Sequence, residues 1–251
     1  MINVVVLAGS SSPGKLEKYA EEDNKALIVI KGKPMLIHVL EALGGVSRVG
    51  EIKLVGSPPQ LIPVLQEYQQ PSWECISQGN TLLENLEAGL RAVPLEYPCL
   101  IVTSDIPLIG SEAVEDFLAR CGTMQKDFYY PIIEEQECRR KFPETERTYV
   151  KLREGRFTGG NMTLLQPSSI LEKINDLYAV FSYRKQPWKY IRMLSVPLAV
   201  KFLLKRATIP ELEFQLSRYF SLEIEAVRTP YPEIGTDVDK PEDLNMIRSW
   251  L

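Results

Sequence analysis

Apolar and polar positions change period along this chain. Short apolar, β-branched runs at Ile2–Leu7, Glu51–Val55, Glu74–Ser77 and Cys99–Thr103 read as strands, with amphipathic stretches at Pro34–Leu43, Gln60–Tyr68, Thr81–Val93 and Ser111–Arg120 reading as helices between them. Several of these stretches open with Pro, Ser or Thr, which helix starts prefer. The alternation predicts βαβ units, and hence an α/β fold with a mostly parallel central sheet and helices on both faces. After about residue 125 the pattern shifts. Extended pieces at Phe128–Ile133, Thr148–Leu152 and Asn161–Leu165 crowd together, a helical insert runs over about 168–220, a last strand lies near Leu222–Val227, and a closing helix starts at Pro241. The chain reads as a single domain over 1–251, without internal repeat or low-complexity linker.

Composition narrows the function classes. With 45% hydrophobic and 25% charged residues the chain suits an ordinary α/β domain, and a formal net charge of −4 excludes a general nucleic-acid binder, which needs a basic footprint. A small-molecule substrate is expected instead. The opening apolar run is too short for a membrane span and has no basic lead-in, so a cytoplasmic location is expected and membrane association is not. Cys75, Cys99, Cys121 and Cys138 form no C-x-x-C pair, and the one histidine, His38, sits in the apolar run MLIHVLEAL. Zinc and disulfide chemistry are therefore not expected, and His38 reads as a core residue. Arg184 to Arg206 holds seven cations and no acid, broken by Ser195-Val196-Pro197 into two predicted helices. That island, Arg184 and Lys185 above all, is a candidate contact for an anionic acceptor, against the readings of merely solvated side chains or of contact with a membrane surface or another subunit.

Candidate chemistry collects where strands end. The first strand runs into Leu7-Ala8-Gly9-Ser10 and on to Lys15, a small-residue loop that lets backbone amides approach a phosphate. It has neither the Walker A spacing nor G-x-G-x-x-G. The run Ile101–Ile109 puts Asp105 at the end of an apolar strand, where an unpaired carboxylate is costly unless it meets a cation or donors, or caps the next helix. Asp237-Val238-Asp239-Lys240-Pro241-Glu242-Asp243 offers two more carboxylates just before the closing helix, which Asp239 is also suited to cap. Gly79-Asn80 makes a turn between strand and helix, and Gly159-Gly160-Asn161 combines close-approach glycines with an amide.

In combination these segments resemble the MobA-like NTP transferases. The loop after the first strand, the continuation Asn24-Lys25-Ala26-Leu27 to Gly32-Lys33-Pro34-Met35-Leu36, the Ser104-Asp105-Ile106-Pro107-Leu108 strand end and the closing Asp237-Val238-Asp239-Lys240-Pro241-Glu242-Asp243-Leu244 are similar to that family's motifs, in order along the chain. The resemblance implies a Rossmann-like GT-A nucleotidyltransferase fold, with nucleotide binding in about 1–125 and the acceptor in about 126–251. It implies NMP transfer from an NTP, CTP or GTP foremost, to a small phosphorylated or hydroxylated acceptor, with release of pyrophosphate. It assigns Mg²⁺ to Asp105 and Asp239 with Asp237 in reserve, and catalysis to Lys25 and Asp105. Leu7, Ala8, Gly9, Ser10, Lys15, Lys25, Gly79 and Asn80 then serve the nucleotide, and Gly160 and Asn161 the acceptor. The loop departs from the family pattern in lacking a second glycine and the usual arginine, offering Lys15 or Lys18 instead, and the basic insert is longer than a minimal member needs. The alternatives are a GT-A glycosyltransferase using an NDP-sugar and a non-catalytic nucleotide sensor; an oligomer is compatible with either.

Overall fold

The computed structural model describes residues 1–9, 14–19, 24–68, 73–181 and 193–251. Ser10, Arg184 and Lys185, and the side chain of Lys15, lie outside what is described.

Strand β1 (Ile2–Leu7) is almost wholly aliphatic, as a strand covered on both faces must be. It pairs in parallel with β4 (Val49–Gly56) on one side and β6 (Cys99–Thr103) on the other, and β5 (Glu74–Ser77) adds to β4, again in parallel. Alternation then divides the packing between two layers. Val4 and Val6 join one apolar cluster with α1 (Met35–Gly44), α2 (Pro58–Glu67) and α4 (Ser111–Arg120), while Val5 and Leu7 join another with α3 (Leu82–Arg91). Helices thus surround a central, mostly parallel sheet. Before α1, the short strands β2 (Val29–Ile30) and β3 (Lys33–Pro34) form a hairpin closed by Lys31 and Gly32 at φ 51° and 82°. Two positive φ values in succession are what a two-residue hairpin turn demands, and glycine meets the second without strain.

The second half builds outward from β6 with antiparallel pairings. The main sheet runs β5-β4-β1-β6-β10-β7-β9-β8, with β11 (Ile224–Arg228) parallel to β7 (Phe128–Glu134). β10 (Met162–Leu165) joins β6 to the start of β7, and β9 (Gly155–Gly159) joins the end of β7 to β8 (Val150–Leu152). The helical insert follows as α6 (Pro167–Glu172), α7 (Ile174–Phe181), α8 (Val196–Leu203) and α9 (Ile209–Phe220). Finally α10 (Pro241–Trp250) returns to the first half: Val238, Leu244 and Ile247 share a buried cluster with Ile28, Ile30 and Met35. No helix among the described residues is long and apolar enough to cross a membrane.

Several details differ from the sequence expectations, the short β2–β3 hairpin among them. Helix α2 starts at Pro58 rather than Gln60, because Pro58 and Pro59 occupy the first turn, where the missing amides have no partner to lose. Strand β9 was not predicted; its sequence GRFTG has glycine at both ends and buries only Phe157, leaving no alternating signal. Helix α5 (Glu135–Lys141) was also missed, since EQECRRK buries only Cys138 and is supported by charge pairs such as Glu135–Arg139 four residues apart.

Candidate active site

The register of the parallel strands decides where the site lies. Leu7 at the end of β1 stands opposite Thr103 at the end of β6 and Val55 near the end of β4, and Gly56 stands opposite Ser77 at the end of β5. The loops carrying Gly9, Gly79-Asn80 and Asp105 therefore leave the sheet along one edge, the carboxyl edge at which open α/β sheets bind ligands. Ser104 donates its amide to the Leu7 carbonyl at 3.2 Å, fixing the Asp105 turn against the Gly9 loop.

Gly9 is held close to the next loop. A Cβ there would sit 2.6 Å from Asn85 Nδ2 and 2.8 Å from Gln78 Oε1, so only glycine fits without a shift. Asn85 accepts the Gly79 amide at 2.7 Å, Asn80 donates its amide to Glu84 at 2.5 Å, and Thr81 caps α3 by accepting from the Glu84 amide. These bonds fix Gly79 and Asn80 in a turn beside the Gly9 loop.

Lys25 lies at the centre of the arrangement. Asn24, buried, accepts the Ala26 amide at 3.0 Å and donates to Gln60 at 3.1 Å, which locks the 3₁₀ turn Lys25–Leu27. Ala26 and Leu27 turn into the core, and the Lys25 side chain reaches out to Asp105 Oδ2 at 2.7 Å and Asp239 Oδ1 at 2.6 Å. Burial alone would lower the pKa of this ammonium, but the charges and hydrogen bonds of Asp105 and Asp239 outweigh it and raise the pKa. The other Asp105 oxygen accepts from the Thr103 hydroxyl at 2.6 Å.

The second and third carboxylates arrive through a simple alternation. The Val238 amide donates to the Asp105 carbonyl at 3.0 Å and its side chain is buried, so Asp237 and Asp239, on either side of it, project together toward Asp105. One oxygen from each of Asp105, Asp237 and Asp239 lies within 4.8 Å of the others. Asp237 pairs with Arg147 at 3.2 Å. Burial, reinforced by the charges of Asp105 and Asp239, pushes the Asp237 carboxyl up to about 6. Burial acts upward on Asp239 too, but the hydrogen bond and charge of Lys25 prevail and hold it below its ordinary value.

Asp239 does not cap the closing helix as expected. Lys240 takes that position, and the Asp243 carboxylate accepts the amides of Asp239 and Lys240 at 3.0 Å each, leaving the Asp239 side chain to Lys25. Gly160 and Asn161 line a polar cavity of about 360 Å³ together with Arg147, Asp237 and Asp239. Their backbone has a structural task as well: Gly160 donates to the Pro131 carbonyl at 3.1 Å and Asn161 to the Ile234 carbonyl at 2.8 Å. His38 Nε2 lies 3.0 Å from the Ile30 carbonyl, a packing role.

Three participants were not singled out from the sequence. Arg147 stands 90 residues from Asp237 in a charged loop with no periodic signal. Thr103 and Asn24 act through side chains that a motif reading treats as spacers. The polarity of Thr103 at the end of an aliphatic strand was the available clue.

The comparisons with known proteins agree with this fold. A solved structure described as a hypothetical transferase from Thermus thermophilus is 35% identical, with a TM-score of 0.84 over 97% of this chain and 99% of that one. Two others share the fold at lower identity. CMP:2-keto-3-deoxy-manno-octonic acid synthetase complexed with CTP is 16% identical, with TM-score 0.58 over 99% of this chain and 97% of that one. A 4-diphosphocytidyl-2C-methyl-D-erythritol synthase from Anaerococcus prevotii is 12% identical, with TM-score 0.62 over 100% and 95%. By sequence, 88 residues are 30% identical to 2-C-methyl-D-erythritol 4-phosphate cytidylyltransferase from a Synechococcus strain; the match spans 34% of this chain and only 39% of that relative. Residues 4–213 match the model of the MobA-like NTP transferase domain, and the chain belongs to that family.

Proposed function

We propose that this protein is a Mg²⁺-dependent nucleotidyltransferase that moves a nucleoside monophosphate from an NTP onto a small phosphorylated or hydroxylated acceptor and releases pyrophosphate. The observation that carries the reading is Lys25 bridging Asp105 and Asp239 beside Asp237, on the sheet edge that also holds Gly9 and Gly79. CTP is favoured over GTP, because the named relatives are cytidylyl enzymes and one was solved with CTP.

The donor set fits the metal. Mg²⁺ takes hard oxygen ligands, usually one or two carboxylates with phosphate oxygens, and Asp105, Asp237 and Asp239 offer three carboxylates in reach of one another. When bound, the ion would offset phosphate charge and align the triphosphate. The remaining work falls to the chain. Lys25, freed from a carboxylate, supplies a positive charge to the phosphates, and the amides of the Gly9 loop approach them without side-chain interference. An acceptor oxygen attacks the α-phosphorus and forms a new P–O bond, while the bond to the β-phosphate oxygen breaks and its electron pair leaves with pyrophosphate. A phosphate acceptor needs no general base; a hydroxyl acceptor must also lose its proton.

The test is a thermal-shift series of the four NTPs with and without MgCl₂, coupled to pyrophosphate detection. CTP at about one hundred times its Kd should raise Tm by about 5–10 °C in the presence of Mg²⁺. No stabilisation by any NTP refutes the reading, and NDP release from a nucleotide sugar would assign glycosyl transfer instead.

A further inference from the structure

A second cavity, of about 540 Å³, adjoins the polar one, and Tyr130, Thr158 and Gly159 line both. Apart from Glu213, its other walls are aliphatic and aromatic, with Phe128, Ile132, Val150, Leu212, Leu216 and Ala226 among them. Strand register explains the lining. Phe128, Tyr130 and Ile132 alternate along β7, Ile224 and Ala226 of β11 stand opposite the first two, and Val150 of β8 stands opposite Phe157 of β9. One face of this sheet is therefore apolar, and α9 lies across it.

The groove separates two buried clusters, one holding Phe220 and Leu222, the other Leu152 and Phe157. Protein interiors rarely leave gaps much larger than a water molecule, and this volume falls in the range of small-molecule sites. Glu213, the charged residue among its described walls, is already engaged in accepting the Ala226 amide at 2.7 Å. What the groove offers is apolar surface, bordering a pocket that offers Arg147, Asp237 and Asp239.

Resting on the nucleotidyltransferase reading, we propose that the acceptor is an amphiphile. Its phosphate or hydroxyl head sits in the polar cavity beside the carboxylates, and its alkyl or aryl body lies in the groove past Tyr130. A helix flanking the groove hints at where such a molecule is met. Val196, Val200 and Leu203 along α8 and Leu204 just after it are 78%, 50%, 65% and 61% exposed; Lys205 and Arg206 follow, and Lys201 of the helix pairs with Glu211. An apolar stripe edged by cations suits a lipid surface, so an acceptor held in a membrane and a monomeric one are both provided for in the test.

The experiment is calorimetric titration of the full chain with butyl, octyl and dodecyl phosphate below their micelle concentrations, with CTP–Mg²⁺ stabilisation measured in parallel. From butyl to octyl phosphate, Kd should tighten about three- to fourfold per methylene. Ala226→Phe, which fills the groove, and Val150→Asp, at its exposed rim, should each weaken dodecyl phosphate at least about tenfold. Neither residue belongs to the carboxylate site, so the CTP shift should persist, and its persistence shows that the variant folds. Pyrophosphate release with monomeric dodecyl phosphate or with phosphatidic acid vesicles identifies the source. A Kd independent of chain length, or unaffected by both variants, overturns the proposal. So does alkyl phosphate failing to bind while Ala226→Phe splits a dimer, which would give the groove to a second copy of the chain. Loss of the CTP shift in the unaltered protein would instead sink the underlying enzyme reading.

Discussion

In residues 1–125 every pairing of the main sheet is parallel and each strand delivers its loop to the same edge; in residues 126–251 the pairings are mostly antiparallel and the strands present their faces. The difference has a chemical consequence. Strand ends supply backbone amides and short turns, which suit phosphates whatever the base or acceptor. Strand faces supply walls whose polarity alternates with side-chain choice, which suit discrimination among acceptors. The carboxylate site lies on the seam between them. Asp105 comes from the parallel half, Asp237 and Asp239 from the other, and Lys25 is bonded to both.

The strongest test of this seam removes its contribution from the parallel side. Asp105→Asn should lower Mg²⁺-dependent turnover about 10³-fold, the several kcal/mol that a metal stabilises in such a transition state. The fold should persist, since the amide can still accept from Thr103. Asp239→Ala, on the opposite side, should cost less, roughly 10–100-fold, because Asp237 remains within reach. Equal losses from the two would make the halves equivalent partners, and normal turnover in Asp105→Asn would remove the carboxylate site from the mechanism.

Lys25→Ala separates the two tasks of the bridging ammonium. Turnover should fall roughly 10²–10³-fold, the scale of losing one preorganised charge-stabilising group. Mg²⁺ binding without nucleotide should tighten, because the ammonium that pairs with Asp105 and Asp239, and would compete with a metal for their oxygens, is removed. Isothermal titration with MgCl₂ and steady-state kinetics read the two effects separately. A loss of less than about threefold at saturating NTP would move the phosphate role to Lys15 or Lys18.

The two halves also differed in how far the sequence revealed them. β1, β4, β5 and β6 with α1 to α4 follow directly from period changes and turn residues, since parallel βαβ units are local in sequence. Lys25, Asp105, Asp237 and Asp239 were each visible as motif residues, and the structure brings all four together, 214 residues apart at the extreme. In the second half β9 was hidden by glycines that its close packing requires. Gly159 is such a position: a Cβ there would collide with the Tyr130 hydroxyl and ring. The groove itself was not visible in the sequence, because its walls come from β7, β8, β9, β11 and two helices whose pairing no local pattern encodes.

The smallest expected effect concerns pH and the carboxylate paired with Arg147. Burial, then the charges of Asp105 and Asp239, raise the Asp237 carboxyl from its ordinary 3.8 to about 6 in the metal-free protein. Because the folded value is the higher one, the metal-free protein holds the Asp237 proton more tightly than the unfolded chain does. That contribution to stability is full below about pH 4 and is lost as the pH rises through about 6. Mg²⁺ acts with the opposite sign, since it binds the ionised carboxylate and must displace the proton. Its affinity should therefore be level above pH 7 and fall about tenfold by pH 5, one pH unit below the folded value. Titrating MgCl₂ at pH 5.0 and 7.5, with the Asp237→Asn variant alongside, checks this. The variant should bind Mg²⁺ more weakly at pH 7.5 and lose most of the pH dependence. A dependence that survives the substitution unchanged would place the proton on another group and leave Asp237 to its pairing with Arg147.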